Sequence, residues 1–303
     1  MTARYVGQFT PGTPEWREQR KAKIGGSDVA AIVGLSPWSS AYALFCERKG
    51  WIEPPPEKPQ MTWGTRLEPV IVAAFEDGHG EFMVDYQPGQ VWVHPDRPWQ
   101  AASPDALIGP NPFTVPPVLL SGLEVKTSRF DDGWGPEGSQ DIPAYYSTQV
   151  QWCMDVFGVN TWHVAALFGG SDYREYVVHA QPHLQTLLRE TAKDFLDSLQ
   201  GDAPPPLDSS PHTYSAVRSL HPDIEDAAVD LPDDIAARYI AGLRAAKDGK
   251  DAETAAKSEV ADFMGRAKSA HWNGHKIAYR RGGKPGTTPY LAATNGLLEK
   301  ELA

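Results

Sequence analysis

The run Gly122-Leu123-Glu124-Val125-Lys126-Thr127-Ser128 constrains this chain more than any other segment. Side chains two apart on a strand point to the same face, so Glu124 and Lys126 project together while Leu123 and Val125 pack behind them. An apolar-framed strand that carries two charges needs a reason, because buried charge is costly unless paired or put to use. Upstream lies Ser103-Pro104-Asp105. If Asp105 stands on a neighbouring strand, two carboxylates and an ammonium converge. Hard carboxylate oxygens suit Mg²⁺, which polarises a phosphate and generates hydroxide while the lysine steadies negative charge, so the set fits metal-dependent cleavage of a phosphodiester. The bland alternatives are a turn aspartate after proline and an exposed Glu–Lys pair.

Pro104-Asp105 with Glu124-Val125-Lys126 resembles the catalytic signature of the PD-(D/E)XK nuclease superfamily. The flanks narrow the resemblance: Gly25-Gly26-Ser27-Asp28 after Trp16 and Arg20, Trp63-Gly64-Thr65 with Glu68, and Tyr145-Tyr146-Ser147-Thr148-Gln149-Val150-Gln151-Trp152. In order and type these blocks look like the YqaJ-type viral recombinases, relatives of the lambda phage exonuclease, over about the first two thirds of the chain.

That resemblance implies an α/β, restriction-endonuclease-like core with a mixed central sheet flanked by helices. It implies a Mg²⁺-dependent 5′-to-3′ exonuclease on linear double-stranded DNA, with Mn²⁺ as a substitute ion, leaving 3′ overhangs for phage-type recombination. Asp105 and Glu124 become metal ligands, the Val125 carbonyl a further candidate ligand, and Lys126 the group that orients and activates water. Glu68 and Gln149 complete the site. Arg20 and Ser27 hold a terminal 5′-phosphate, with Ser103 close to the same pocket. A ring-shaped homotrimer, a single-strand annealing partner and, if phage-encoded, the host cytoplasm are implied in the same way.

Several of these residues have a duller reading. Thr65-Arg66-Leu67-Glu68 fits a capping box, although Pro69 points to a later helix start. Gln149 is a polar residue on a largely apolar helix, where it needs a partner; Gln151, two positions on, faces elsewhere. Ser27 and Asp28 read as helix N-caps, while Gly25-Gly26-Ser27 offers free N–H groups that suit an anion.

At 303 residues the chain can bury a large core. Its net charge of -11, from 28 Lys and Arg against 39 Asp and Glu, runs against a generally basic DNA-binding surface and points to a narrow positive track. Cys46 and Cys153 form no C-x-x-C and read as buried thiols, too few for an iron–sulfur nuclease. No apolar run is long enough for a membrane helix and no signal pattern opens the sequence, giving a cytoplasmic expectation. The histidines form no site, and Trp134 is either a base-stacking residue or a hydrophobic plug. Rival functions are another PD-(D/E)XK endonuclease, of restriction or resolvase type, and a catalytically inactive DNA-binding recombination protein.

Gly201-Asp202-Ala203-Pro204-Pro205-Pro206 marks the clearest boundary, dividing a core at 1–206 from a C-terminal region at 207–303. There, Ile235–Lys247 and Ala252–Ala267 read as an antiparallel helix pair, and Asn273-Gly274 as a type I′ hairpin turn. Lys268, Lys276, Arg280, Arg281 and Lys284 form a basic stripe, of which Lys276, Arg280 and Arg281 are candidate contacts to the DNA backbone.

Overall fold

The computed structural model describes residues 3–110, 119–282, 286–294 and 297. The first part of the chain runs β1 (Arg4–Gln8), α1 (Pro14–Arg20), α2 (Gly26–Ile32), α3 (Ala41–Arg48), α4 (Pro59–Gly78), β2 (Phe82–Tyr86), β3 (Gln90–His94), β4 (Arg97–Ala102), β5 (Ala106–Pro110) and β6 (Ser121–Ser128). It continues through α5 (Ala144–Phe157), β7 (Thr161–Phe168), β8 (Asp172–His179), α6 (Pro182–Ser198) and α7 (Pro211–Leu220). The chain divides into two units, Met1–Ile224 and Glu225–Ala303.

The first unit is built on a five-stranded sheet in the order β2-β5-β6-β7-β8, beside a smaller sheet β1-β3-β4. All neighbouring pairs in the large sheet are antiparallel except β6 and β7. That exception follows from α5, the crossover helix between them, since parallel strands need a long connection and antiparallel strands a short one. Helix α5 begins after Pro143 and stops at Gly158, whose φ of 66° is left-handed.

The two faces of β6 carry different cargo. Leu123 and Val125 pack with Ile71, Val72 and Phe75 of α4 in one apolar cluster. Glu124 and Lys126 therefore project to the side covered by α5, whose Val150, Trp152, Cys153 and Met154 belong to the other large cluster. Gly122 shares their face, and its lack of a side chain is required: a Cβ there would stand 2.2 Å from the Trp162 ring. The core is the mixed, helix-flanked sheet expected from the resemblance; of the proline-rich stretch Gly109–Pro117, which by its sequence reads as a hairpin connection, residues 111–117 lie outside the described residues.

Helix α4 corrects both the capping box at Thr65–Glu68 and the later helix start that Pro69 suggested. It begins at Pro59, caps on Lys58 and runs through Pro69 to Gly78. Proline inside a helix removes one N–H and displaces a carbonyl, but Pro69 and Thr65 are both exposed, so water can serve the freed group. Glu68 is thus a mid-helix residue and no capping box forms.

The division expected after Pro206 falls inside the first unit. Helix α7 returns to α3, where Ala216 joins Tyr42, Ala43 and Cys46, and the Thr213 hydroxyl donates to Ser40 Oγ at 2.7 Å.

In the second unit α8 (Asp233–Met264) is followed by β9 (Ser269–Trp272), β10 (His275–Arg281) and β11 (Tyr290–Ala293), which pair in the order β11-β10-β9. The expected helix pair is instead one continuous 32-residue helix. A glycine such as Gly249 costs a helix only about 1 kcal/mol. Across the expected break, Glu253 takes ion pairs from both Lys250 and Lys257, which hold its carboxyl down at about 2. The β9–β10 turn is the expected type I′, with φ of 49° at Asn273 and 80° at Gly274.

Candidate active site

The register of β5 on β6, Ala106 opposite Leu123, carries Asp105 to the start of β5 beside the middle of β6. There its Oδ2 accepts the Val125 N–H at 2.6 Å. Glu124 is 2 % exposed. Its Oε1 accepts from the Lys126 ammonium and, at 2.5 Å, from Nε2 of Gln149 on α5. Its Oε2 is buried with no hydrogen-bond partner. An unsatisfied buried acceptor costs about 1–3 kcal/mol, more when charged, so this oxygen is one that a further ligand could satisfy.

Electrostatics point the same way. Burial first, and then the Glu124 carboxylate, push Asp105 well above the ordinary carboxylate range, against the pull of Lys126. Burial also raises Glu68, whose hydrogen bond from Tyr86 works in the opposite sense and whose neighbour Glu124 adds to the rise. Tyr86 is pushed up to about 12 by burial and by Glu68. Lys126 is raised although burial alone would lower it, because Glu124 and Asp105 outweigh that burial; it is an ammonium, not a neutral base. The cluster is short of positive charge.

Asp105, Glu124, Lys126, Gln149 and Glu68 are therefore brought together. Gln151 is not among them: it is fully buried, donates to the His179 carbonyl and accepts from the Gln181 N–H, holding the start of α6. Among the described residues no group of three or more His, Cys, Asp or Glu side chains could hold an ion alone. The donor set present is two carboxylates, Asp105 and Glu124, with the carbonyl of Val125, the residue after Glu124. It suits Mg²⁺, which takes one or two carboxylates and completes its shell with substrate phosphate and water.

A cavity of about 90 Å³ opens beside this cluster, lined in part by Arg20, Gly25, Gly26, Ser27, Ser103 and Gln149. All three expected phosphate-binding residues, Arg20, Ser27 and Ser103, thus share one pocket. Gly26 lets α2 approach α5, since a Cβ there would meet Gln149 Cγ at 3.2 Å and Cys153 Sγ at 3.4 Å.

The N-cap expectation is corrected. Gly25 occupies that position, and Asp28 lies three residues on, accepting the Gly25 N–H at 2.9 Å. Asp28 is also the buried partner of two arginines, Arg20 at 2.5 Å and Arg48 at 2.6 Å. Arg20 stands over the Trp16 ring at 4.5 Å, with Nη2 3.4 Å from Ser27 Oγ. Sequence reasoning missed this clamp. An acid three residues after Gly25 was a visible signal, whereas nothing near Arg48 marked it.

Trp134 is the hydrophobic plug, packed against Tyr146, Phe168 and Tyr176. Both cysteines are buried thiols, and burial raises both. In the second unit the basic stripe is split. Arg280 and Arg281 alternate across β10, and Arg280 donates to the Ala261 carbonyl in the last turn of α8 at 3.2 Å. Arg281 is exposed, Lys276 lies 5.4 Å from the Tyr279 ring, and Lys284 lies outside the described residues. No helix among the described residues is long and apolar enough to cross a membrane.

The chain is 24% identical to the Bacillus subtilis protein YqaJ over 222 residues, 72% of this chain and 66% of YqaJ, so it spans just under two thirds of that relative. Among solved structures, the alkaline exonuclease LHK-Exo from Laribacter hongkongensis aligns with 62% of this chain and 93% of its own, at 19% identity and a TM-score of 0.44. LHK-Exo in complex with dAMP aligns over the same shares with a TM-score of 0.46. The model of the YqaJ-like viral recombinase domain matches residues 15–160, the stretch that holds Arg20, Glu68, Asp105, Glu124, Lys126 and Gln149, and over that stretch the chain is similar to that family.

Proposed function

We propose that the chain is a divalent-metal-dependent exonuclease that degrades linear double-stranded DNA from 5′ ends and leaves 3′ single strands for recombination. The observation that carries it is the convergence of Asp105 and Glu124 beside a lysine ammonium, with one buried Glu124 oxygen unpartnered. Held by Asp105, Glu124 and the Val125 carbonyl, Mg²⁺ or Mn²⁺ would polarise the scissile phosphate and acidify water. Lys126 offsets the negative charge that develops on the phosphate, and as an ammonium it orients water by donating a hydrogen bond. Gln149 fixes the Glu124 carboxylate through Oε1, and Glu68 adds a carboxylate at the rim that can accept from that water.

The pocket beside Arg20 and Ser27 supports the choice of an end over an internal bond, because a terminal phosphate has charge and donors waiting there. A homotrimer around DNA, a single-strand annealing partner and a cytoplasmic setting belong to the same proposal.

The test is to incubate the protein with linear duplexes labelled at either strand end, beside a covalently closed circle, with and without Mg²⁺ or Mn²⁺. Loss of 5′ label first, only with metal and only from linear DNA, is expected. Arg20→Ala should erase a preference for 5′-phosphate over 5′-hydroxyl ends that amounts to about tenfold to a hundredfold in wild type. Cutting of the circle, or digestion without a divalent ion, would overturn the proposal.

A further inference from the structure

An exposed tryptophan stands at the edge of the candidate site, on a loop that is tied down. Trp38 follows α2 and is 52 % exposed. Its N–H and that of Ser39 donate to Ser36 Oγ at 3.1 and 3.3 Å, and the Leu35 and Ser36 N–H groups donate to the Ala30 carbonyl. From α7, His212 Nε2 sits 2.9 Å from the Pro37 carbonyl. The ring is thus held at fixed position without being covered. Burial gain does not explain an indole left half in water, since aromatic side chains contribute most when their area is removed from solvent.

Its neighbours link it to the chemistry. The Trp38 ring meets Tyr145 edge-on at 4.9 Å and lies 5.7 Å from Tyr146. The Lys126 ammonium stands 4.9 Å from the Tyr146 ring centre. Tyr145 and Gln149, four apart on α5, share a face of that helix, and Gln149 is the residue bonded to Glu124. With Trp38 52 % exposed despite both tyrosine contacts, part of the indole stays open to solvent, within two contacts of the lysine ammonium. Flat aromatic faces beside phosphate-binding groups accept nucleobases by stacking, with little dependence on sequence because every base offers a π-face.

Resting on the nuclease reading above, we propose that Trp38 is a stacking subsite for one nucleobase of the strand whose phosphate enters the Asp105–Glu124 site. Loop tethering means that little ordering cost is left at binding. Trp38 is a positioning residue: it fixes the nucleotide and touches no reacting bond.

The test reads binding separately from cleavage. Equilibrium binding of end-labelled duplexes is followed by fluorescence anisotropy without divalent ion, for wild type, Trp38→Phe and Trp38→Leu, on duplexes carrying one abasic residue at successive positions from the 5′ end. Trp38→Leu is expected to weaken binding to intact duplex about tenfold, with Trp38→Phe near wild type. At one position the abasic residue should weaken wild type by a similar factor and cost Trp38→Leu nothing more. Equal binding by wild type and Trp38→Leu, a Leu defect undiminished on every abasic duplex, or no DNA binding by wild type would each overturn the subsite. Should Trp38→Leu fail to fold, the abasic series on wild type and Trp38→Phe still decides, since indifference to every abasic position has the same force. Cleavage of the same duplexes with Mg²⁺ reports on the nuclease reading alone: binding that depends on the base without cleavage would sink that reading and leave the subsite standing.

Discussion

Gln149 Nε2 donates to Glu124 Oε1 at 2.5 Å, and the other oxygen of that carboxylate is buried without a partner. One oxygen is saturated by Gln149 and Lys126 while its twin waits, which fixes the direction in which the carboxylate can accept anything further. Because the amide and the ammonium also hold the side chain in one rotamer, the open oxygen is presented at a defined position.

Removing either partner of that arrangement should strike turnover more than DNA affinity. Lys126→Ala is expected to slow digestion by about 10²–10³-fold, the usual effect of losing one preorganised charge-stabilising donor. Glu124→Gln and Asp105→Asn should each abolish the response to added Mg²⁺. Digestion rates and duplex binding measured side by side check this; a parallel loss of both would indicate misfolding.

Asp28 should govern the acid limb of stability. Burial alone would raise its pKa, but Arg20 and Arg48, with the Gly25 N–H, outweigh it and hold the carboxyl below its ordinary value. A depressed folded pKa gives stability that is present above the unfolded value of about 3.9 and is lost as pH falls through the folded one. Asp28→Asn should therefore cost about 3–5 kcal/mol at neutral pH, because it leaves two arginines facing a neutral group. Its remaining stability should fall less than that of wild type as pH drops below about 4. Denaturant titrations at neutral and acid pH measure both, and identical acid losses would count against the clamp.

Gly122→Ala should destabilise the first unit by about 1–3 kcal/mol, the range for overpacking a close-fitted core. The added methyl would fall 2.2 Å from the Trp162 ring, so β6 or the indole must move, carrying Glu124 with it. A thermal melt gives the cost; an unchanged midpoint would mean the ring yields freely.

In the second unit the salt dependence of duplex binding should separate the basic residues. If the region touches DNA, Arg281→Ala or Lys276→Ala flattens the log–log slope by about 0.9 per lost phosphate contact. Arg280→Ala should leave the slope and instead cost about 1 kcal/mol of stability, since its guanidinium is committed to the Ala261 carbonyl. The reverse pattern would show that strand alternation has misassigned the face.

Residue types and their spacing were enough for the local features. Strand β6 with its paired charges and the Asn273-Gly274 turn depend on neighbours within a few positions, where sequence carries the physics directly. Even the membership of Asp105, Glu124, Lys126 and Gln149 in one cluster was legible, because the motif order matched a known pattern. What only tertiary structure decided were choices between locally permitted states. Pro69 could end a helix or ride on its wet side, and Leu67, one turn before Ile71, packs with Ile71, Val72 and Phe75 against β5 and β6, which favoured the longer helix. Trp134 could stack on a base or fill a core, and Tyr146, Phe168 and Tyr176 enclosed it. Asp28 could cap a helix alone, yet Arg48, twenty residues away, made it a clamp behind Arg20. In each case the deciding partner is distant in the chain, and burying charge or apolar surface against it outweighs what the neighbouring residues prefer.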